Sequence, residues 1–277
     1  MKRPGAERLA FAAYAWLAVF FLAPLALVFK LSLSHTALAL PPYAPQLHLG
    51  DGLPGLLAFV RALDFDAYGR FVRDRIYLDA YLSSLGYAAV ATGVLLAVGY
   101  PLALAMARAP RRWRPLLVGA VTLPFWTSFL IRIYAWTAIL GPAGLLGSDA
   151  AIYIGLTYAY LPFMVLPLYA VLEREDETLR EAAADLGATP WSAFWTVTAP
   201  LSLPGAAAGA LLCFIPMVGE FVIPDLLGGP RTLMIGKLIW TEFFANRDWP
   251  AACAAAMALV ATLALPIALY RRLERRR

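Results

Sequence analysis

Charge is scarce in this sequence: only 15% of its 277 residues are Asp, Glu, Lys or Arg. A soluble domain carries about a quarter, so the scarcity argues against a single soluble core. Cysteine is nearly missing too, with Cys213 and Cys253 alone, which excludes a disulfide-stapled secreted fold. Both cysteines lie in apolar runs and read as small buried residues, not as a redox pair or metal site. The two histidines, His35 and His48, have no ligands at metal-binding spacing, so no metal site is expected there. There is no internal repeat and no low-complexity tract. The phosphate-cradling pattern G-x-x-x-x-G-K-[ST] does not occur either, so the chain cannot bind ATP in the P-loop manner.

Apolar residues are abundant instead, at 61% with a mean hydropathy of +0.68. A helix crosses the hydrocarbon core with about 20 apolar residues. Six runs qualify, at about 10–31, 80–106, 115–140, 150–172, 201–227 and 250–270. The expected fold is all-α, a polytopic membrane protein with six transmembrane helices. The first run follows Lys2 and Arg3 and is too long for the apolar core of a signal peptide, so it reads as an uncleaved signal-anchor.

The cations orient the chain. One set of flanks holds Lys2, Arg3, Arg8, Arg108, Arg111, Arg112, Arg114, Arg174, Arg180, Arg271, Arg272 and Arg275–Arg277, fourteen in all. The other holds eight, of which Arg61, Arg70, Arg73 and Arg75 share the long first loop with Asp51, Asp64, Asp66, Asp74 and Asp79. Both termini are therefore expected in the cytoplasm. The net charge of +5 reflects this topology. It is not a nucleic-acid footprint, because no basic stripe is interleaved with exposed stacking aromatics. The expected organisation is 1–79 as first helix plus outer loop, 80–270 as transmembrane core, and 271–277 as a basic cytoplasmic tail.

The longest cytoplasmic connection, about 173–200, carries the strongest signal. Thr178 with Glu181 three residues on fits a capping box. Leu179, Ala182, Ala183 and Leu186 then share one face of a short helix. Gly187 is placed to end it in the left-handed conformation, and Thr189-Pro190 starts a second short helix. A loop lying on headgroups favours bulky apolar anchors and lysine. This one presents an alanine ridge that lets another protein approach closely, with Glu181 and Asp185 one turn apart.

These residues resemble the EAA loop of type I ABC importer permeases: Glu181-Ala182-Ala183, three residues, then Gly187. In the family, nine further residues lead to an aliphatic-x-Leu-Pro ending. Val197-Thr198-Ala199-Pro200 keeps that spacing with alanine for leucine, whereas Leu201-Ser202-Leu203-Pro204 keeps the residue types at a spacing of thirteen. The first alignment is preferred because it keeps the length. Leu123-Pro124-Phe125-Trp126-Thr127-Ser128, Leu161-Pro162-Phe163 and Gly219-Glu220-Phe221-Val222-Ile223-Pro224 resemble spans of spermidine/putrescine importer permeases. The likeness covers about 80–270.

The resemblance implies a type I ABC importer transmembrane domain that forms half of a translocation pathway in the cell inner membrane. Its implied partners are a cytoplasmic ABC ATPase dimer, a second permease subunit, taken as a different chain, an extracytoplasmic substrate-binding protein and membrane lipid. The chain itself would bind no cofactor, ATP and magnesium residing on the ATPase. Coupling is implied for Glu181, Ala182, Ala183, Asp185, Leu186 and Gly187. Polyamines are the implied solute. Other organic cations, amino-acid derivatives, phosphonates and thiamine-like compounds stay open.

Ionisable groups inside spans face a pathway or a partner. Counting from the inner side places Arg132 about 26 Å and Glu220 about 29 Å into outward-running helices, so the two are expected at similar depth, where pairing at an outer gate is one reading and snorkelling of Arg132 the other. Trp126, Arg132, Tyr134, Trp136, Glu220 and Asp225 are the pathway candidates, since aromatic faces and carboxylates complement a polycation. Glu242 is a further carboxylate of this kind, and Tyr77, Tyr81, Trp240 and Trp249 are assigned to the interfacial belt. A membrane enzyme is disfavoured because no histidine or H-E-x-x-H motif lies in the spans. An ion-coupled secondary transporter is disfavoured by the missing inverted repeat.

Overall fold

A computed structural model describes residues 11, 13–46 and 61–274. Lys2, Arg3, Arg8, His48, Asp51 and Arg275–Arg277 lie outside the described residues. Helices form nearly all of it. The strands among the described residues are a short antiparallel pair, β1 (His35–Thr36) and β2 (Tyr43–Ala44), with His35 opposite Ala44. The chain divides into two compact units, Met1–Asp79 with Leu238–Arg277, and Ala80–Lys237.

In the first unit, α1 (Ala13–Ser32) is apolar and exposed along most of its length. Its inner partner is α11 (Trp249–Glu274), which also packs against α2 (Asp66–Arg73). At the end of α1, Lys30 donates to the Pro45 carbonyl at 3.2 Å and sits 4.0 Å over the Tyr43 ring. Asp248 ties three segments together. Its carboxylate accepts from Thr36 Oγ1 (2.7 Å), Arg70 Nη1 (2.9 Å) and the Ala251 amide (3.0 Å), the last capping α11. Burial alone would raise this carboxyl group, but the Ala251 amide, Thr36 and Arg70 outweigh it and hold Asp248 below the usual carboxylate range.

The assignment of Tyr77 and Tyr81 to an interfacial belt is not what the structure shows. Both are buried. Tyr77 donates to Glu242 Oε1 at 3.2 Å, so its hydroxyl has a partner inside the protein and needs no headgroup. Trp249 stacks flat on Phe243, with centroids 4.9 Å apart. Trp240 is exposed, as a belt residue would be.

In the second unit, α3 (Arg75–Arg108) contributes its length from residue 80 onward. The run expected as one third span is two helices, α4 (Arg114–Trp126) and α5 (Phe129–Leu140), meeting at 90°. Pro124 tightens the end of α4 into a 3-10 turn, and Thr127 is extended at φ −110°, ψ 153°. A proline disrupts the regular hydrogen-bond ladder, and two non-helical residues then redirect the axis.

α6 (Asp149–Leu172) is capped by Ser148, whose hydroxyl accepts from the Ala151 amide. It packs along α8 (Pro190–Val218). Small residues permit the close approach: a Cβ on Gly205 would lie 3.0 Å from the Pro167 carbonyl oxygen, and one on Gly209 3.0 Å from that of Met164. The fifth span thus begins at Pro190 and ends at Val218, where 201–227 was expected. The second short helix anticipated within 173–200 is the start of this rod. It contains a π-helical stretch at Phe194–Thr198. Short helices α9 (Val222–Leu226) and α10 (Ile235–Trp240) follow, and α9 packs on α5 and α6.

Among the described residues, four helices are long and apolar enough to cross a membrane, five if the bent pair counts as one span. The apolar stretch Trp249–Ala264 of α11 makes the architecture compatible with six.

Candidate functional site

The loop of residues 173–189 folds around α7 (Glu177–Asp185). Its N-cap is Asp176, whose carboxylate accepts from the Thr178 amide at 3.0 Å. The capping box expected from Thr178 and Glu181 is therefore displaced. Two cap-forming residues stand two positions apart, and the acidic one nearer α6 takes the role, where its charge also favours the positive helix start.

The C-terminus follows the sequence closely. Gly187 has φ +84°, its amide donates to Ala184 O (2.8 Å), and the Ala188 amide donates back to Ala183 O (2.9 Å). This pair of bonds is the Schellman termination, which a left-handed residue at that position permits. Thr189 then caps the start of α8 by accepting from the Ser192 amide at 3.2 Å.

No residue of α7 is buried. Glu181, Ala182, Ala184 and Asp185 are exposed, Ala183 is half-buried, and Leu186 is 90% exposed. Among the described residues, this nine-residue helix leaves a small-residue ridge and the apolar Leu186 at its end open to solvent. Trp191 and Trp195, one turn apart at the start of α8, are also exposed and meet edge to face at 5.6 Å. Sequence reasoning passed over them. The W-x-x-x-W spacing directly after Thr189-Pro190 was the available signal.

The loop is anchored at its root. Arg114 Nη1 meets Glu173 Oε1 at 3.3 Å, and Thr198 Oγ1 donates to Glu175 Oε1 at 2.7 Å. Between them lies a ≈260 Å3 cavity lined by charge, including Arg108, Arg111, Arg114, Glu173, Glu175 and Arg180.

The pathway candidates fall on two packed segments. Trp126, Arg132, Tyr134 and Trp136 lie on the bent pair α4–α5, while Glu220 and Asp225 lie at and just beyond the break after α8. Trp126 (88%) and Tyr134 (57%) are exposed, and Trp136 meets the Tyr158 ring edge-on. Asp225 forms an ion pair with Lys237 at 3.2 Å.

Arg132 and Glu220 form no ion pair. Glu220 Oε2 accepts from the Tyr160 hydroxyl at 2.8 Å. Its Oε1 accepts from the amides of Phe221, Val222 and Ile223 at 2.9–3.4 Å. The carboxylate thus caps the chain where α8 breaks and α9 starts. Arg132 Nη1 donates to the Pro124 carbonyl at the bend, which also accepts from the Thr127 amide and hydroxyl, and its Nε is buried without a partner. Counting rises along a straight third span put the two at one depth. The bend removes that premise.

Residues 99–277 match the family described as the binding-protein-dependent transport system inner membrane component. The spermidine/putrescine transport system permease protein PotB of Haemophilus influenzae is 40% identical over 214 residues, covering 71% of this chain and 75% of the relative. PotB of Escherichia coli strain K12 is 38% identical over 227 residues, covering 76% and 82%. Among solved structures, a bacterial ABC transporter involved in the import of the acidic polysaccharide alginate aligns with a TM-score of 0.66 at 18% identity, covering 98% of each chain. The MetNI methionine ABC transporter in an inward-facing conformation aligns at 0.57 and 20%, covering 72% of this chain and 94% of that one. The last two show the fold alone. With its bent helices, its exposed α7 and these relatives, the chain belongs to the inner-membrane permease components of binding-protein-dependent ABC importers.

Proposed function

We propose that this chain forms one half of the pathway of an ATP-driven polyamine importer and that α7 is where an ATPase engages it. The observation that carries the coupling role is α7 itself: free of buried residues, mostly exposed, small-sided, and ended by a left-handed glycine at Gly187. Glu181, Ala182, Ala183, Asp185, Leu186 and Gly187 form the contact. ATP and magnesium are held by the ATPase dimer, and a second permease subunit, encoded as a different chain, completes the pathway. An extracytoplasmic binding protein delivers the solute.

The polyamine assignment is supported by the relatives' spermidine/putrescine transport. The exposed aromatic faces of Trp126 and Tyr134 and the carboxylates Glu220 and Asp225 suit an extended polycation. Arg132 stands apart among the pathway candidates as a cation, and its guanidinium is held at the bend by the Pro124 carbonyl. Both termini and α7 are assigned to the cytoplasm on the strength of the cation distribution.

The test is uptake by proteoliposomes holding this chain with its partner permease, ATPase and binding protein. ATP-dependent accumulation of labelled spermidine or putrescine is expected. If neither enters while another solute does, the polyamine assignment fails. Cysteine labelling at Ala184, expected only from the cytoplasmic side, tests the orientation.

A further inference from the structure

We propose that the hydrogen bond between Thr198 and Glu175 is the joint through which movement of α7 reaches the membrane-spanning helices, making these two positioning residues of the transport cycle. The proposal rests on α7 being the ATPase-engaging element.

Besides its packing on the start of α8, α7 has flexible covalent connections. It joins α6 through the non-helical residues 173–176 and α8 through Leu186–Thr189. Each connector can absorb a displacement by rotating a few backbone dihedrals. The Thr198–Glu175 bond bypasses both. Glu175 directly precedes the N-cap Asp176, so it travels with the start of α7. Thr198 is the last residue of the π-helical stretch Phe194–Thr198, inside the rod that continues to Val218. At 2.7 Å the hydroxyl and carboxylate close the 23-residue interval between them into a ring.

Burial makes the joint specific. Thr198 is fully buried, so its hydroxyl has few alternatives to this acceptor. One turn further along α8, Ser202 meets the Tyr100 hydroxyl of α3 at 2.6 Å, and Tyr100 also packs edge-on against Phe194. Arg114 holds Glu173 to α4. The root of the loop is thus fastened to several helices, and the Thr198–Glu175 bond adds a directional polar tie, just before the α7 N-cap, to the packing of α7 on the start of α8. Thr198 also ends a π-helical stretch, a departure from regular α-helical bonding of the kind found at functional sites.

Glu175 is only half-buried. When the hydroxyl is removed, water replaces it at the carboxylate, and valine fills the same volume at Thr198. The fold is therefore expected to survive a change that breaks the joint.

The experiment uses the complete complex in proteoliposomes. It measures ATPase retained on purification and solute taken up per ATP hydrolysed. Thr198→Val and Glu175→Ala are expected to retain ATPase and hydrolysis while uptake per ATP falls about fivefold or more, the population ratio one ordinary hydrogen bond sets. Thr198→Ser and Glu175→Gln keep donor and acceptor and should stay within about twofold of the parent. A parental ratio in Thr198→Val overturns the proposal, as does equal damage from the conservative variants. Loss of the ATPase from Thr198→Val also overturns it, because the hydroxyl would then serve docking. The underlying reading fails separately: ATPase that stays bound to an Ala183→Trp variant shows that α7 is not the docking element.

Discussion

Gly187 allows a conformational and a steric role to be told apart by the order of four side chains. Its φ of +84° is left-handed, and a Cβ added there would meet no heavy atom of this chain within 4 Å. Inside the chain the penalty of a side chain is therefore conformational alone, about 1–2 kcal/mol for alanine. About 1.4 kcal/mol is tenfold in an equilibrium, so alanine should reduce the weight of the native helix end by roughly that factor. Asparagine enters the left-handed region more readily, and valine is the worst because its branched Cβ crowds the backbone. Uptake per ATP in proteoliposomes should fall in the order Gly, Asn, Ala, Val. A glycine needed only to let the ATPase approach gives a different order, with alanine better than asparagine. If Gly187→Asn transports less than Gly187→Ala, the conformational argument is refuted. Helix-end geometry would then matter less than free volume at the contact.

Other expectations follow from the packing. Gly209→Val drives a methyl group into the Met164 backbone, at 3.0 Å from Cβ onward, and should cost about 1–3 kcal/mol or more, seen as a lower melting temperature in detergent and poor yield. Glu220→Ala strips the break after α8 of its acceptor for three amides. A loss of about 1–3 kcal/mol is expected, with Tyr160→Phe milder, and equal melting temperatures for both variants and the parent would contradict the capping role. Asp248 titrates below the usual carboxylate range in the folded protein. Between the folded and unfolded values the unfolded chain binds more protons, so its stabilisation is complete above the ordinary carboxyl range and lost as pH falls through the lowered value. Melting of the parent should therefore drop on acidification while Asp248→Asn changes less, the two curves converging at low pH.

Local chemistry was legible in the sequence where the backbone itself imposes a residue type. Gly187 and the Thr189-Pro190 cap were readable because a left-handed helix end and an orphan amide each demand particular residues. The helix start was misread by two positions because Asp176 and Thr178 both satisfy that demand, and only the chain path from α6 selects between them. The broken third span was hidden for a different reason. Hydropathy runs unbroken across 115–140, and hydropathy carries no information about φ and ψ at Thr127 and Ser128. Every inference that counted rises through that span inherited the error, including the depth match of Arg132 with Glu220. Tyr77 shows the limit of composition rules: a tyrosine near a span end suits an interface equally well as a carboxylate partner such as Glu242, far away in sequence.

The right-angled turn between α4 and α5 also bears on the bilayer. Twenty-seven residues in one straight helix would reach about 40 Å. Folded into perpendicular arms of 13 and 12 residues, the same segment reaches end to end only about 26 Å, against a hydrocarbon core of about 30 Å. The segment is therefore subject to hydrophobic mismatch, and the surrounding lipid must thin or yield to water and protein at that point.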